Sequence, residues 1–216
     1  MSIEKQVSYW NTNTYHTLNK YTSKTKNVWL VFHGMGYLSR YFIQYFSQLD
    51  ATENFIVAPQ APSKYYQGKN FKHVGASWLT RENTLLETEN ILAYIDQIFE
   101  TEKISEASKL IVLGYSQGVS IATRWLASRK INCEHLVLHS GGIPKELTQD
   151  SFEYMSADTP VTFLYGTSDQ YINEARVIEE ELKGNNLFGK RLNIQVFEGI
   201  HEVNREFLLE LSKIDC

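Results

Sequence analysis

Short apolar runs alternate with amphipathic segments along most of the chain. Residues 28–32, Val-Trp-Leu-Val-Phe, are continuously apolar, and residues 110–113, Leu-Ile-Val-Leu, repeat the pattern. Such runs are typical of strands covered on both faces, as the central strands of parallel sheets are. Further strands are predicted at residues 55–58, 136–138, 161–164 and 194–197.

Helical periodicity occupies the intervals between these strands. Residues 82–99 carry leucine, isoleucine and phenylalanine at helical spacing. Further helices are predicted at residues 40–49, 117–129, 173–182 and 202–211. This alternation predicts an α/β fold over a single domain, residues 1–216, with a mainly parallel central sheet and helices on both faces. In such folds, sites form at the carboxyl ends of the strands.

Three segments do not follow this alternation of strands and helices. Residues 4–10 and 15–21 alternate apolar and polar side chains around Asn11-Thr12-Asn13-Thr14, which predicts an antiparallel N-terminal hairpin at one edge of the sheet. Residues 60–77 are predicted as a long loop. The segment between residues 131 and 160 is too short for a large helical lid.

Composition narrows the class of protein. The 216 residues are 43% hydrophobic and 21% charged, which argues against wholesale disorder. A net charge of −4 without a long basic run argues against nucleic-acid binding. No segment approaches the roughly 20 apolar residues of a membrane span, the first ten residues lack a signal-peptide core, and Cys133 and Cys216 have no CxxC partner. We therefore expect a cytoplasmic protein with no membrane span.

The segment Gly114-Tyr115-Ser116-Gln117-Gly118 matches G-x-S-x-G between a predicted buried strand and a predicted helix. Small residues at both ends permit a tight turn that lifts the serine hydroxyl off the end of the sheet. The start of the helix supplies unsatisfied N–H groups and positive dipole beside it. The pattern predicts Ser116 as a catalytic nucleophile.

A serine nucleophile needs a base and an acid, which follow in that fold in the order serine, acid, histidine. His135 and His139 flank a predicted strand, as structural histidines can, whereas His201 follows the last strand in a glycine-containing loop. Asp169 follows a strand end, whereas Asp158 precedes that strand and is expected at the opposite end of the sheet. We predict His201 as general base and Asp169 as its orienting acid.

The tetrahedral intermediate of acyl transfer needs N–H donors for its negative charge. The residue after the nucleophile, Gln117, is predicted to give one donor through its amide. The loop after the first buried strand, His33-Gly34-Met35-Gly36, is predicted to give the second through the amide of Met35. His33 is expected to fix this loop by hydrogen bonding.

Together these motifs resemble the phospholipase/carboxylesterase family, the acyl-protein-thioesterase-like branch of the α/β-hydrolases. The resemblance runs from about residue 28 to the C-terminus. It implies an α/β-hydrolase fold without a large lid and hydrolysis of carboxylic esters or thioesters, and it supports Met35 and Gln117 as oxyanion donors. The motifs that carry it are His33-Gly34-Met35-Gly36, Ala58-Pro59-Gln60-Ala61-Pro62, Ser77-Trp78-Leu79, Gly114-Tyr115-Ser116-Gln117-Gly118, Ser140-Gly141, Gly166-Thr167-Ser168-Asp169 and Gly199-Ile200-His201-Glu202.

The chain departs from the family pattern at three places, so the resemblance does not carry a particular substrate over. Val119 replaces a second glycine after Ser-Gln-Gly, Gly36-Tyr37-Leu38 replaces a Gly-Asp pair, and Gln170-Tyr171-Ile172 replaces a valine-proline. Aromatic residues of the loops at the active rim are candidates for substrate contacts. They are Tyr37, Tyr66, Phe71 and Trp78, with Tyr65 beside them.

The sequence therefore predicts a serine hydrolase for small-molecule esters with small to medium acyl chains. A thioesterase or lysophospholipase would use the same chemistry, and a catalytically silent binding module would keep the same fold. No HExxH motif or clustered His/Asp spacing is present, so no metal or other cofactor is expected. A nucleic-acid partner is not expected, and a homodimer is compatible with the sequence.

Overall fold

Seven strands form one twisted sheet with the order β1-β3-β2-β6-β7-β8-β9, and two more form a separate hairpin. A computed structural model describes residues 2–104 and 109–214. All neighbours in the large sheet are parallel except β1 and β3. The strands are β1 (Tyr15–Leu18), β2 (Asn27–Phe32), β3 (Asn54–Pro59), β4 (Ser63–Gln67), β5 (His73–Ser77), β6 (Lys109–Tyr115), β7 (His135–His139), β8 (Val161–Gly166) and β9 (Leu192–Phe197).

Helices cover both faces of this sheet. They are α1 (Ser39–Phe42), α2 (Thr84–Glu102), α3 (Gly118–Arg129), α4 (Glu174–Phe188) and α5 (Arg205–Leu211). Short 3-10 turns occupy Ile43–Phe46, Gln149–Phe152 and Gly189–Arg191. The α/β-hydrolase fold is thereby confirmed, and between α3 and β8 the chain forms only β7 and one 3-10 turn, in agreement with the absence of a large lid.

The sheet has a hydrophobic core on each face, and the fully buried strand β2 contributes side chains to both. Val28, Leu30 and Phe32 point to the face covered by α2 and α3, where Trp125 is also buried. Trp29 and Val31 alternate with them and point to the opposite face, which α1 and α5 cover. A strand flanked by helices on both sides buries every side chain, and for this reason its sequence is a continuous apolar run.

The N-terminal segment differs from the prediction in its pairing. The antiparallel element lies at the sheet edge as expected, but β1 pairs with β3, with Tyr15 opposite Pro59 and Leu18 opposite Ile56. Residues 4–10 form no strand and are exposed, including Trp10. The free edge of β3 offers β1 a longer apolar partner than residues 4–10 do, and a two-stranded ribbon alone is marginal in water.

The predicted loop at residues 60–77 contains the antiparallel hairpin β4–β5. Its strands were not predicted because most of their residues are exposed and lack an alternating apolar pattern. The hairpin is tied to the loop after β2. The Gly36 amide donates to the Ala76 carbonyl at 2.8 Å, and the Gln67 side-chain amide donates to the Gly36 carbonyl at 2.8 Å.

Cys133 is a buried free thiol, and Cys216 lies outside the described residues. Within residues 2–104 and 109–214, no helix combines the length and apolarity needed to cross a bilayer. The assignment of residues 1–216 to a single domain stays a prediction.

Asn54, at the start of β3, forms a buried hydrogen-bond network beside the core that α1 and α5 cover. Its Oδ1 accepts hydrogen bonds from Trp29 Nε1 at 2.9 Å and from Asn27 Nδ2 at 3.1 Å. Its own Nδ2 donates to the Asp50 carbonyl at 3.1 Å. Trp29 and Asn54 are almost completely buried, so no solvent can replace a lost partner.

We expect Asn54→Leu to lower the free energy of unfolding by about 2–4 kcal/mol, because the Trp29 indole N–H would lose its acceptor inside the core. Urea denaturation of the purified variant measures this change. Asn193→Leu, at an exposed position of β9, is the matched control. Equal stability of the two variants would contradict the role of the network.

Candidate active site

The carboxyl ends of the parallel strands meet at one edge of the sheet, and the loops that follow them carry the predicted site residues. Ser116 follows β6, Asp169 follows β8, and His201 follows β9. The loop with Met35 follows β2 at the same edge. Parallel pairing of these strands therefore gathers residues that are far apart in sequence.

Ser116 lies on a sharp turn between β6 and α3. Its φ is +53°, in the left-handed region, which costs a non-glycine residue free energy and is typical of functional turns. Its amide donates to the His139 carbonyl at 2.7 Å. The flanking glycines are required: a Cβ at Gly114 would lie 2.4 Å from Val119 Cα, and one at Gly118 would lie 2.1 Å from the Phe32 carbonyl oxygen.

His201 bridges the predicted nucleophile and acid. Its Nε2 lies 3.0 Å from Ser116 Oγ, and its Nδ1 lies 2.8 Å from Asp169 Oδ2. The carboxylate accepts a hydrogen bond from Nδ1–H, which leaves the Nε2 lone pair free to accept the serine proton. The structure thus brings the three residues together in the order that base-assisted attack by serine requires.

Asp169 is held in place by its own backbone surroundings. Its side chain is completely buried, and Oδ1 accepts hydrogen bonds from the amides of Tyr171 at 2.8 Å and Ile172 at 3.2 Å. These bonds to the charged form offset the loss of water around the carboxylate. Both oxygens have partners, so the carboxyl group keeps one orientation toward His201.

The loops that carry acid and base are joined directly. The Thr167 amide donates to the Phe197 carbonyl at 2.9 Å, and the Ser168 amide donates to the Gly199 carbonyl at 2.8 Å. These bonds continue the β8–β9 ladder past the ends of the strands. Asp169 and His201 therefore have a fixed separation, although they lie 32 residues apart.

The two predicted oxyanion donors lie in segments next to Ser116: Gln117 follows it directly, and a Cβ on Gly34, the residue before Met35, would lie 3.0 Å from Ser116 Cβ. Gln117 occupies the N-cap of α3, and Met35 lies in the exposed loop after β2. Within the described part of the chain, no residue accepts a hydrogen bond from either amide. His33 Nδ1 lies 2.8 Å from the Gly34 carbonyl oxygen. That oxygen and the Met35 N–H belong to one trans peptide and point in opposite directions, so His33 fixes the direction of the Met35 donor.

His33 can do this only as a neutral ring with one tautomer. Its Nε2 accepts a hydrogen bond from the Ala61 amide at 3.1 Å, which leaves Nδ1 as the donor to Gly34. Burial lowers the pKa of His33 to about 4, partly offset by the bond to Gly34. The ring therefore stays uncharged at neutral pH and holds the loop, as expected from the sequence.

The Gln117 side chain has a structural role that the sequence did not reveal. Its Oε1 accepts from the Trp78 amide at 2.9 Å, and its Nε2 donates to the Leu79 carbonyl at 2.8 Å and to Ser77 Oγ at 3.0 Å. It thereby ties the chain after β5 to the serine turn. In the sequence only the motif Ser77-Trp78-Leu79 pointed to this region, and it did not indicate a contact with Gln117.

The predicted substrate-contacting aromatics fall into three environments. Tyr66 and Phe71 are exposed on the β4–β5 hairpin, with ring centroids 5.4 Å apart. Tyr37 is partly buried and bonds Tyr45 through its hydroxyl at 3.0 Å. Trp78 does not line a pocket. It is 1% exposed and donates its indole N–H to the His33 carbonyl at 2.8 Å, because a large ring with one polar atom gains most from the core when an acceptor is present.

Comparison with protein families decides the assignment. A model of the family described as phospholipase/carboxylesterase matches residues 13–214. The chain belongs to the phospholipase/carboxylesterase family. The family resemblance of the sequence motifs is confirmed, and membership supports a hydrolase of the esterase or thioesterase type. A comparison with curated protein sequences gave no match.

Solved structures show how widely this family fold is shared. Acyl-protein thioesterase 2 of Zea mays has a TM-score of 0.66 at 18% identity over 94% of this chain and 97% of its own. The phospholipase/carboxylesterase of Dyadobacter fermentans has a TM-score of 0.64 at 19% identity over 94% and 96%. The carboxylesterase of Bacillus cereus has a TM-score of 0.64 at 15% identity over 93% and 92%. At these identities the likeness shows the fold alone.

Two tyrosines at this family site were not singled out from the sequence as site residues. Tyr115, directly before Ser116, is buried, and Tyr171, two residues after Asp169, is exposed. Both rings pack against His201, with centroid distances of 5.2 Å and 4.7 Å. Tyr115 belongs to the serine motif and Tyr171 to a segment that departs from the family pattern, but neither position indicates a contact with His201.

The remaining nucleophile and base candidates are structural. Burial lowers the pKa of His135 to about 4 and that of His139 to about 3. His135 Nε2 lies 2.8 Å from Thr162 Oγ1, and His139 Nε2 accepts from the Asn204 amide at 3.0 Å. Burial, reinforced by the nearby Glu134 charge, raises the pKa of the Cys133 thiol to about 12. A thiol this weakly acidic is not a nucleophile at neutral pH.

The three buried histidines make stability depend on pH. The pKa values of His33, His135 and His139 lie well below the ordinary 6.5, so the unfolded chain binds protons first as the pH falls. Stability is complete above about pH 6.5 and is lost as the pH falls toward about 4. We expect a loss of about 1–2 kcal/mol per histidine between pH 7 and 5, measured by urea denaturation.

His135→Gln provides the internal control, because glutamine cannot take up a proton. The decrease in unfolding free energy between pH 7 and 5 should become smaller by the share of one histidine, about 1–2 kcal/mol. His135 lies at the amino end of β7, away from Ser116. An unchanged pH dependence in this variant would show that His135 does not contribute to acid stability.

Proposed function

We propose that the protein hydrolyses carboxylic esters with small to medium acyl chains through a covalent acyl-enzyme. The catalytic residues are Ser116, His201 and Asp169. The observation that carries the proposal is the unbroken line of hydrogen bonds from the Asp169 carboxylate through the His201 ring to the Ser116 hydroxyl. Family membership supports the reaction class.

Acylation begins when Ser116 Oγ attacks the ester carbonyl carbon and His201 Nε2 takes the hydroxyl proton. Asp169 stabilises the resulting imidazolium and keeps its orientation. The oxyanion of the tetrahedral intermediate accepts hydrogen bonds from the amides of Met35 and Gln117. His201 then donates its proton to the leaving oxygen, and the alcohol departs while the acyl group stays on Ser116.

Deacylation repeats the sequence with water. A water molecule gives a proton to His201 Nε2 and attacks the acyl carbonyl, and the same two amides stabilise the second oxyanion. The carboxylic acid leaves as His201 returns the proton to Ser116 Oγ. A thioester or a lysophospholipid differs from a simple ester in its leaving group. A thioesterase or a lysophospholipase is therefore the alternative on this chemistry. No cofactor takes part in these steps.

A cytoplasmic location is part of the proposal. It is supported by the free, buried thiol of Cys133. Partners other than a small-molecule ester are not invoked, and a homodimer stays a prediction.

Ser116→Ala should lower the kcat for p-nitrophenyl butyrate by at least about 1,000-fold and abolish labelling by a fluorophosphonate, because only an activated serine reacts with it. Ser128→Ala, an exposed serine on α3, is the control and should keep wild-type activity and labelling. Esters from acetate to palmitate and matched thioesters measure the acyl and leaving-group preference.

The outcomes of this experiment separate the candidate functions. A wild type that neither turns over these esters and thioesters nor labels with the fluorophosphonate would replace the hydrolase by the silent binding module. Turnover of thioesters far above that of oxygen esters would favour the thioesterase. A kcat/KM that rises steadily up to palmitate would contradict the preference for small to medium chains.

The exposed pair Tyr66 and Phe71 is proposed to contact the acyl chain. The hairpin that carries the pair is tied through Gly36 to the loop after β2, which also carries Met35. Phe71→Ala should raise the KM for p-nitrophenyl octanoate about fivefold through lost apolar contact and leave acetate hydrolysis unchanged. Leu182→Ala, an exposed apolar residue on α4, is the control. An equal effect on acetate and octanoate would remove the pair from the acyl site.

A further inference from the structure

The His201 ring has aromatic neighbours in addition to its two hydrogen-bond partners. The Tyr115 ring lies 5.2 Å from it, centroid to centroid, at an interplanar angle of 34°. The Tyr171 ring lies 4.7 Å from it at 73°, in an edge-to-face arrangement. With a side chain that is only 13% exposed, His201 is thus enclosed by Ser116, Asp169 and these two tyrosines.

Each tyrosine also makes a hydrogen bond to His201 or Asp169. The Tyr115 hydroxyl donates to the backbone carbonyl of His201 at 3.0 Å. Burial raises the pKa of this hydroxyl above its usual range, so it remains a donor throughout the neutral range. The Tyr171 amide donates to Asp169 Oδ1 at 2.8 Å, so the residue whose ring contacts the base also orients the acid.

Tyr115 and Tyr171 differ in how firmly the protein holds them. Tyr115 is buried and stacks on Phe42 with centroids 5.9 Å apart at 26°. Tyr171 is 64% exposed, and the ring of His201 is its aromatic contact among the described residues. Burial in the core explains the position of Tyr115 without any reference to catalysis. No such gain explains why the ring of Tyr171 lies against the base.

We propose that Tyr171, together with Tyr115, is a positioning residue that keeps the His201 imidazole aimed at Ser116. The inference rests on the proposed function, since a base needs a fixed aim only if it takes the serine proton. A histidine side chain turns about two torsions, and Asp169 restrains only one end of the ring. The Tyr171 ring blocks rotation toward solvent, and the Tyr115 hydroxyl fixes the backbone from which the ring extends.

The contact acts on the proton-transfer step. The aim of the His201 ring matters when its Nε2 takes the serine proton, after the substrate has bound. The ring of Tyr171 is therefore worth more to the transition state than to the resting enzyme. Interactions of this kind raise kcat and leave KM unchanged.

The test removes and then restores the ring. Tyr171→Ala should lower the kcat for p-nitrophenyl acetate and the rate of fluorophosphonate labelling about fivefold, with KM unchanged. Tyr171→Phe keeps the ring and should restore both rates to within about twofold of the wild type. Tyr41→Ala, at a similarly exposed tyrosine on α1, is the control and should match the wild type.

Tyr115→Phe tests the buried partner by removing only the hydroxyl. We expect kcat to fall about fivefold at constant KM, because the His201 carbonyl loses its donor while the ring packing remains. A melting temperature recorded for each variant separates this effect from unfolding. Unchanged kcat in both Tyr171→Ala and Tyr115→Phe would overturn the proposal. So would a higher KM at constant kcat in Tyr171→Ala, which would make Tyr171 a substrate wall.

A readout without substrate distinguishes this proposal from the proposed function. The Nδ1–H proton of His201, held by Asp169, gives a downfield NMR resonance whose exchange with water reports how well the ring is held. Faster exchange in Tyr171→Ala than in Tyr171→Phe supports positioning, and equal exchange overturns it. Failure of the hydrolase itself would appear in the wild type, as absent turnover and labelling that match Ser116→Ala.

Discussion

The close approach of α3 to the end of β2 is the contact on which the site depends. The Gly118 backbone lies so near the Phe32 and His33 carbonyls that a Cβ would fall 2.1 Å from the Phe32 oxygen. This approach places the start of α3, with Ser116 and Gln117 directly before it, beside the loop that carries Met35. The proposed nucleophile and the two proposed oxyanion donors thus take their relative positions from packing of backbone against backbone.

The rest of the site is attached to this contact by backbone hydrogen bonds. The Ser116 amide bonds the His139 carbonyl, and the loops of Asp169 and His201 bond each other through Ser168 and Gly199. Because these bonds extend the parallel ladders of the sheet, the sheet itself sets the spacing of the site. The polar β4–β5 hairpin is tied in by the backbone bond from Gly36 to Ala76 and by the side chains of Gln67 and Gln117.

The sequence predicted the features of the site that depend on strand order. It did not predict those that depend on side-chain packing. Alternating strands and helices place Ser116, Asp169 and His201 at one sheet edge, and this required no knowledge of side-chain contacts. The burial of Trp78 was not predicted, because an aromatic residue in a loop gives no sign of whether another segment covers it. Tyr171 was passed over for the same reason: its ring meets a residue 30 positions away, and neither local periodicity nor the serine motif encodes that meeting.

Burial and hydrogen-bond partners assign different tasks to the histidines near the site. His33 and His139 are fully buried, both of their ring nitrogens bond neutral partners, and their pKa values fall to about 4 and about 3. They keep one tautomer and cannot charge at neutral pH. His201 instead faces a carboxylate and keeps a partly exposed ring. In the proposed mechanism His201 changes its charge during turnover, and the hydrogen-bonded carboxylate of Asp169 supplies the counter-charge.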